Sequence, residues 1–218
     1  MRNQRSSCYV VGAGEMYGQP PAPEPGDFVI AADGGFGYLT AQGIRADLVV
    51  GDFDSLGTLP EHANVIRLEK EKDETDTLAA LMIGLKRGFR LFHIHGGTGG
   101  REDHTLANLQ SLVYLSKREA IGFLYGRDTV MTAITSSSLG LPAELSGYLS
   151  VFAHSDRASG VDLEGLKYEL RNAELTNEFP LGVSNEFVGK GSRIRVREGT
   201  LLVVFPRDEE SIKEVSFS

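Results

Sequence analysis

The chain has 218 residues, enough for one sizeable domain or two small ones with a buried core. Its hydrophobic content of 41% and charged content of 24% are those of a globular protein and argue against extensive disorder. The formal net charge of −8 argues against a nucleic acid partner, because phosphate backbones are bound by basic surfaces. A nucleotide ligand remains compatible with this charge, since a metal ion can bridge acidic side chains and phosphates.

The single cysteine, Cys8, permits no intramolecular disulfide, and this suits a reducing compartment. The apolar run after the first residues ends at Gly12, so it is too short for a signal peptide or a membrane span. We therefore predict a cytoplasmic protein with no membrane partner.

Short apolar runs in the first part of the chain end in glycine or aspartate and are typical of buried parallel strands. They cover Cys8–Val11, Phe28–Ala32, Leu48–Val50 and Leu91–His95. The apolar spacing between them predicts a helix over residues 78–85, which stops at Gly88, and an amphipathic helix that begins near Asp103 and buries Leu106, Leu109, Leu112, Val113 and Leu115. This alternation predicts an α/β layer structure.

The character of the sequence changes after about residue 138. The serine-rich stretch 136–142 predicts a linker, and beyond it Tyr148–Ala153 and Arg193–Phe205 predict strands, with a turn at residues 198–199. No long helix is predicted there. We therefore predict an N-terminal three-layer α/β domain with a mainly parallel sheet over residues 1–138, and a C-terminal all-β sandwich domain over 139–218.

Acidic residues gather where the predicted strands end or the helices begin, and in open α/β sheets ligands bind at the carboxyl ends of strands. They are Asp33, Asp52, Asp54, Asp73, Asp76 and Asp103. If residues 52–54 are extended, the first and last side chains point the same way and can converge on one hard cation. A turn in which these aspartates cap backbone amides is the alternative.

Two further segments carry residues suited to phosphates. Lys72, Thr75 and Asp76 precede the first predicted helix; they can act as a cap and a first-turn charge, but together they also suit phosphates and a metal. The glycine-rich run 96–100 lets backbone amides approach a polyphosphate, and Arg101 can neutralise its charge. This run is not a Walker A loop, because no Gly-Lys-Ser/Thr ends it.

In this order the motifs closely resemble those of the thiamine pyrophosphokinase family. They are Ala32–Gly35, Gly51–Ser55, Lys72–Asp76, Gly97–His104 with Asn108, and Gly182–Glu186. The resemblance covers nearly the whole chain. It implies a magnesium-dependent transfer of pyrophosphate from ATP to the hydroxyl of thiamine, giving thiamine diphosphate and AMP. It also implies a homodimer with the active site at the subunit interface.

The resemblance further implies roles for individual residues. The Mg²⁺ ligands would be Asp33, Asp52, Asp54 and Asp76, and the catalytic group would comprise Asp52, Asp54, Asp76, Arg101 and Asp103. ATP would be contacted by Asp33, Gly34, Lys72, Thr75, Gly97, Arg101, His104 and Asn108. Thiamine would lie by Ser184, Asn185 and Phe205. Some members stack a tryptophan on thiamine; this chain has no tryptophan, so Phe205 or Phe187 would take that place.

Two other functions stay open at this stage. A related pyrophosphokinase with another acceptor, such as a hydroxymethylpterin, would keep the aspartates and the glycine loop but lack the Ser184–Asn185 context. A non-catalytic protein that binds a nucleotide or thiamine could lose a metal ligand, whereas all four aspartates are present here.

Overall fold

The computed structural model describes residues 6–53, 62–69 and 71–218. These residues form two compact units. The first unit contains the chain up to Ser111 together with Glu119–Arg127, and the second contains Leu112–Arg118 together with Asp128–Ser218. The chain therefore passes between the units more than once, and the predicted division of the chain at residue 138 stays a prediction.

The first unit is built around parallel strands. In chain order it contains β1 (Cys8–Val11), β2 (Phe28–Ala32), α1 (Gly35–Ala41), β3 (Leu48–Gly51), β4 (Val65–Arg67), α2 (Asp76–Lys86), β5 (Leu91–His95), the first part of α3 (Glu102–Ser116) and β6 (Ile121–Tyr125). The described strands lie in the order β6-β5-β1-β2-β3-β4, and each neighbouring pair is parallel. All of their carboxyl ends therefore meet at one edge of the sheet.

Helices cover both faces of this sheet. Successive side chains of a strand point to opposite faces, so Cys8 and Val11 of β1 belong to different layers. On one face, a Cβ atom added to Gly84 of α2 would lie 3.0 Å from the Cys8 sulfur and 2.6 Å from the Phe92 ring. On the other face, Leu39 of α1 packs in one apolar cluster with Val11. The predicted three-layer arrangement is confirmed.

The buried face of α3 differs from the predicted one. Leu106 was expected in the core, but 63% of its surface is exposed. Leu112, Val113 and Leu115 are buried as predicted. Asn108 is buried with them, and Asn108, Leu112 and Leu115 follow the i, i+4, i+7 spacing of a single helix face. Leu106 lies two positions before Asn108, on nearly the opposite side of the helix. The prediction was wrong here because it followed the leucines and did not allow a buried asparagine.

The second unit is mainly antiparallel. It contains β7 (Thr129–Thr135), β8 (Ser138–Leu141), β9 (Tyr148–Ala153), β10 (Arg157–Glu164), β11 (Leu170–Thr176), β12 (Gly182–Glu186), β13 (Ser192–Arg195), β14 (Thr200–Pro206), α4 (Glu209–Ile212) and β15 (Ser216–Phe217). One set of its strands lies in the order β12-β9-β14-β7 and the other in the order β11-β10-β13-β8-β15. The pairs within each set are antiparallel, and this confirms the predicted all-β sandwich.

The predicted linker over residues 136–142 is wrong, because β8 lies within it. Leu139 and Leu141 point inward and are buried, and their strand pairs with β13 on one side and β15 on the other. The serines and glycine between and before them gave the stretch a loop-like composition, although the two leucines already have the two-residue period of a half-buried strand.

No helix in the described ranges is both long enough and apolar enough to cross a membrane.

Candidate active site

Two of the predicted aspartates lie at adjacent strand ends of the first unit. Asp33 follows β2 and Asp52 follows β3, and the last residue of β2 pairs with Val50. The Asp33 amide donates to the Val50 carbonyl oxygen at 2.8 Å. A Cβ atom added to Gly51 would lie 3.2 Å from the Asp33 Cα, so glycine allows this close approach. The sheet therefore brings the backbone of these two aspartates to one edge.

The argument for a shared cation required an extended segment after β3, but the segment is not extended at Phe53. Phe53 has a φ of 59°, in the left-handed region, and its ring is buried in the apolar cluster around Leu39. This turn of the backbone removes the argument that alternate side chains at positions 52 and 54 point the same way. Asp54 itself lies outside the described residues, so its predicted role as a ligand stays a prediction.

The start of α2 presents a lysine, a threonine and an aspartate together. The Thr75 side chain accepts a hydrogen bond from the Leu78 amide at 3.2 Å and caps the helix. Asp76 is the first residue of the helix, and its Oδ1 lies 2.7 Å from the Lys72 ammonium. That oxygen is buried and has no hydrogen bond of acceptable geometry, although the charges are adjacent. Asp76 thus keeps acceptor capacity that the described chain does not use.

The glycine loop, residues 96–100, lies against the loop that follows β1. The amides of Gly14 and Glu15 donate to the carbonyl oxygens of Gly96 and Thr98, at 2.8 and 3.0 Å. A Cβ atom on Gly14 would lie 2.7 Å from the Gly96 carbonyl oxygen, so a side chain there would separate the loops. Three residues of the glycine loop have positive φ, namely Gly96, Gly99 and Gly100. Glycine adopts that backbone without strain.

Later parts of the chain hold the glycine loop from the other side. The buried Asn108 amide on α3 donates to the Gly97 carbonyl oxygen at 2.7 Å. The Thr98 hydroxyl donates to the carbonyl oxygen of Tyr125, at the end of β6. Asn108 was predicted to contact ATP, but the structure shows its side-chain amide bonded to the loop backbone. Its position supports the loop, and any contact with a nucleotide stays a prediction.

Arg101 and Asp103 form an exposed pair beside the glycine loop. The guanidinium donates to both carboxylate oxygens of Asp103, at 3.2 and 2.6 Å. The bidentate contact with Arg101, helped by the His104 amide, holds the pKa of the Asp103 carboxyl below its usual range. His104 lies in the exposed first turn of α3. The three residues are neighbours at the start of α3, on the rim of the loop.

A second polar group at the glycine loop was not identified from the sequence. The Tyr17 hydroxyl donates to Glu15 at 2.6 Å, and the Arg127 guanidinium lies 3.8 Å from the same carboxylate and 5.3 Å from the centre of the Tyr17 ring. A Cβ atom on Gly99 would lie 2.6 Å from the Tyr17 hydroxyl oxygen. Gly99 and Arg127 are distant in sequence from Glu15 and Tyr17 and form no motif with them, so only the folded chain reveals the group.

Two histidines of β5, His93 and His95, pack against aromatic side chains of the core. The His95 ring stacks on Tyr125 with 4.3 Å between ring centres. His93 Nδ1 is 2.7 Å from the Tyr125 hydroxyl oxygen, and its ring stacks on Tyr9. Burial lowers the pKa of His93 to about 4, so it is neutral at physiological pH.

In the second unit, two residues predicted to lie by thiamine, Asn185 and Ser184, differ in their burial. Asn185 is buried, its Oδ1 accepts from the Tyr168 amide at 3.0 Å, and its amide nitrogen donates to the Tyr168 carbonyl oxygen at 2.7 Å. Asn185 therefore fixes the backbone of Tyr168, whose side chain is exposed. Ser184 is exposed and has a positive φ of 58°. Its amide donates to the Ser150 hydroxyl at 3.1 Å.

The phenylalanines proposed for stacking are less accessible than Tyr168. Phe205 lies on β14 with no exposed surface, so its ring cannot meet a ligand in this conformation. Phe187 is partly buried and forms an isolated bridge with Leu166. Which aromatic ring contacts thiamine stays a prediction, and the exposed ring fixed by Asn185 is a further candidate.

Mg²⁺ prefers oxygen donors, and the Asp76 carboxylate offers a buried oxygen whose described partner is the Lys72 ammonium at 2.7 Å. Within residues 6–53, 62–69 and 71–218, no group of three or more acidic, histidine or cysteine side chains has an arrangement that could hold a metal. The described carboxylates supply suitable chemistry, and the fourth predicted ligand, Asp54, lies outside those ranges.

Two models of one protein family match successive parts of the chain. The family model described as "Thiamin pyrophosphokinase, catalytic domain" matches residues 24–123, and that described as "Thiamin pyrophosphokinase, vitamin B1 binding domain" matches residues 138–201. The chain belongs to the thiamine pyrophosphokinase family. This family is one of transferases, and its two domain models occur here in the order that the sequence analysis predicts.

Individual members of the thiamine pyrophosphokinase family resemble the chain along most of its length. The thiamine pyrophosphokinase of Bacillus subtilis is 28% identical over 187 residues, which are 82% of this chain and 87% of that protein. Its crystal structure has a TM-score of 0.82 at 25% identity, and the match covers 93% of this chain and all of that one. A family protein of Enterococcus faecalis has a TM-score of 0.77 at 28% identity, over 94% and 100% of the two chains. The yeast thiamin pyrophosphokinase is 16% identical with a TM-score of 0.70, over 94% of this chain and 88% of that one, and shows the shared fold.

Proposed function

We propose that the chain is an ATP-dependent thiamine pyrophosphokinase. In this reaction the hydroxyl oxygen of thiamine forms a bond to the β-phosphorus of ATP, the bond between that phosphorus and the oxygen bridging to the α-phosphorus breaks, and AMP leaves. The hydroxyl proton is lost to a base. The observation that carries the proposal is the match of both family models, in order, to the two parts of one chain.

The phosphate side of the proposal rests on the first unit. The glycine loop is held by the amides of Gly14 and Glu15 on one side and by Asn108 on the other, so its backbone is ordered before a ligand arrives. Arg101 is exposed beside it and can contact phosphate oxygens through guanidinium donors that Asp103 does not occupy. In phosphoryl transfer the protein contributes mainly charged groups and hydrogen-bond donors that are already in position around the reacting phosphoryl group.

We propose Mg²⁺ as the cofactor, held by Asp33, Asp52, Asp54 and Asp76. When bound, the ion would neutralise phosphate charge and orient the β-phosphoryl group. The chain's own residues prepare this position: α2 presents Asp76 at its first turn, and Lys72 lies against that carboxylate. The Lys72 ammonium can then leave Asp76 and bind a phosphate oxygen. The lysine charge stays paired with a negative group in both positions.

For the acceptor, we propose that Tyr168 and Ser184 contact thiamine and that Asn185 positions Tyr168. The two hydrogen bonds from the Asn185 side chain fix the Tyr168 backbone and leave the ring exposed. Aromatic faces attract cations, and the thiazolium ring of thiamine carries a positive charge. Lys167 lies 5.4 Å from the centre of this ring, but it is paired with Glu186 at 2.8 Å, which offsets its charge.

We also propose that the protein is a homodimer. The second unit exposes apolar side chains on β9, on β12 and on the segment before β12, namely Tyr148, Phe152, Val183, Phe179 and Leu181. A group of exposed apolar residues of this kind is typical of an interaction surface.

Light scattering after gel filtration should give twice the chain mass for the wild type, and the Tyr148→Lys variant should shift toward the monomer. A monomeric wild type at micromolar concentration would contradict the dimer.

The reaction is tested by incubating the protein with ATP, Mg²⁺ and thiamine and separating the products by chromatography. AMP and thiamine diphosphate should appear in equal amounts, with neither product when Mg²⁺ is replaced by a chelator. A parallel incubation with a hydroxymethylpterin tests the other acceptor. AMP without thiamine diphosphate, or no turnover in either incubation, would overturn the proposed activity.

A further inference from the structure

A pocket on the second sheet of the second unit is lined by arginines and serines. It has a volume of about 380 Å³, and its walls include Ser136–Ser138, Arg193, Arg195 and Arg197. We call these residues the arginine pocket. The proposed reaction assigns none of them a role. They stand out in a chain whose formal net charge is −8.

The alternation along β13 places these cations on one face. Arg193 and Arg195 are exposed, while Ser192, Ile194 and Val196, which alternate with them, are buried. Residues two apart on a strand are separated by roughly 7 Å, so guanidinium groups on neighbouring positions can approach one anion from two sides. On β8, the residues opposite these arginines are Gly140 and Ser138. The Ser216 hydroxyl of β15 lies beside Gly140, and the Ser138 hydroxyl is hydrogen-bonded to that of Ser218.

The polar groups of the pocket have unused hydrogen-bonding capacity. Among the described residues, Arg193 and Arg195 make no ion pair or hydrogen bond through their guanidinium groups, and the hydroxyls of Ser136 and Ser137 make no hydrogen bond. Arg197 is held in place by a hydrogen bond from its guanidinium to the Asn172 side chain, which leaves its other donors available. The pocket therefore combines one arginine that is held in place with two arginines and two hydroxyls whose side-chain donors the described chain does not use.

Two carboxylates of β10 lie opposite arginines of this group. In the register of β10 and β13, Asp162 lies opposite Arg195 and Glu164 lies opposite Arg193. The Asp162 carboxylate instead accepts a hydrogen bond from the Asn172 amide at 2.7 Å, on the β11 side. Neither carboxylate forms an ion pair with the arginines within the part of the chain that the structure describes, and neither lines the pocket.

We propose that the arginine pocket binds the phosphate group of a small molecule. Guanidinium groups match phosphate oxygens in geometry, and a site with two or three of them plus hydroxyl donors can satisfy one tetrahedral anion. The segment 193–197, which is β13 and the residues just after it, offers three arginines over a short distance, and the chain as a whole has a formal net charge of −8, so an extended nucleic acid would be repelled beyond the pocket. The inference concerns a second site and does not depend on the proposed activity.

The test follows backbone amide signals by NMR during titration with inorganic phosphate. We expect saturable shifts at Ser136, Ser137 and Gly140 in the wild type. The double variant R193Q/R195Q should bind about tenfold more weakly or worse, because each lost guanidinium removes charge-assisted hydrogen bonds. The matched control, R157Q/R171Q, removes the same charge from exposed arginines outside the pocket and should change the affinity by no more than about twofold.

Titrations with glycerol phosphate and with a single-stranded oligonucleotide identify the source of the phosphate. Equal affinity for inorganic phosphate and the ester indicates that the phosphate group alone is recognised, whereas tighter binding of the ester indicates a phosphorylated metabolite. The proposal is overturned if the shifts do not saturate, if both double variants weaken binding equally, or if the oligonucleotide binds far more tightly than either small molecule.

Discussion

Asp76 shows how one carboxylate can serve an ion pair and a proposed ligand site. Its Oδ1 is buried, lies 2.7 Å from the Lys72 ammonium and has no hydrogen bond of acceptable geometry. A carboxylate oxygen has more than one lone pair, so Oδ1 can accept a further contact beside the lysine, and a bound cation would use that capacity. Since Asp76 also opens α2, the negative charge is favoured by the helix dipole. These features support the proposed magnesium contact.

Asp76→Asn should therefore abolish most of the activity. The variant keeps the size of the side chain but removes its charge, so we expect kcat/KM to fall by about 100-fold or more, as for other groups that stabilise reacting charge. The matched control is Asp73→Asn, an exposed position in the same segment with no described contact. Activity and urea unfolding should be measured for both variants. Near-normal kcat/KM in Asp76→Asn would remove this residue from the reacting site.

Tyr168 provides the residue-scale test of the acceptor side. Tyr168→Ala should raise the KM for thiamine by about tenfold while leaving the KM for ATP unchanged, because only a stacking face is lost. Tyr168→Phe keeps that face and should behave like the wild type. Steady-state kinetics with each substrate varied separately gives both constants. Equal changes in the two KM values would indicate a general disturbance of the fold and contradict a stacking role.

At this scale the sequence predicted positions better than roles. The aspartates at strand ends and helix starts were located because glycine-bounded apolar runs mark the end of a buried strand. Asn108 and Asn185 were predicted as ligand contacts, yet the structure shows each bonded to a backbone segment of its own unit. The sequence shows an asparagine but not the hydrogen-bond partner of its side chain. Whether that partner is a ligand or a loop is fixed only by tertiary structure.

At the scale of elements, glycines decide how closely helices approach the sheet. Gly84 on α2 lies so close to β1 and β5 that an added Cβ would be 2.6 Å from the Phe92 ring. Gly37 on α1 has no atom within 4 Å of the same added group. Both glycines are in helices, where alanine is intrinsically favoured by about 1 kcal/mol. An alanine substitution at either position gains helix propensity, but only the one at Gly84 also meets neighbouring atoms. Comparing the two therefore isolates the cost of packing.

Gly84→Ala should destabilise the protein by about 1–3 kcal/mol, because overpacking exceeds the gain in helix propensity. Gly37→Ala should be neutral or stabilising by up to about 1 kcal/mol. Urea unfolding followed by far-ultraviolet circular dichroism compares the two. Equal effects would mean that the contact between α2 and the sheet relaxes readily.

Element prediction succeeded where a pattern was regular and failed where composition concealed it. The bounds of β1, β2 and β5 agree with the predicted runs, and Gly88 follows the end of α2 as expected. Helix α1 was not predicted, because Gly35 and Gly37 lower helix propensity in so short a segment. The turn at residues 198–199 joins β13 to β14, which pair with strands of different sheets. Sequence alone gives no register, so this crossing could not be foreseen.

At the scale of the whole molecule, the stability of the first unit should depend on pH through His93. Its folded pKa is lowered from 6.5 to about 4 by burial, so the unfolded chain binds more protons between these values. The stabilisation is complete above about pH 6.5 and is lost as the pH falls toward 4. The corresponding free energy is at most about 3 kcal/mol.

Hydrogen exchange of the Ile94 amide, on β5 beside His93, measures this effect in the first unit alone. The opening free energy of the wild type should fall between pH 7 and pH 4 more steeply than that of His93→Gln, which has no titratable ring. The difference between the two curves should lie in the interval between pH 6.5 and 4. Parallel curves over this interval would show that His93 does not control the pH dependence.

The way the glycine loop is supported has a consequence for the newly synthesised chain. A nascent polypeptide that ends at His104 already contains the glycines, the lysine and the aspartates of the predicted phosphate site. It lacks Asn108 and Tyr125, which bond to the loop from α3 and β6. The loop can reach its native form only after β6 has left the ribosome, so a prematurely terminated product would carry the phosphate-motif residues up to His104 and still lack the two contacts that order the loop.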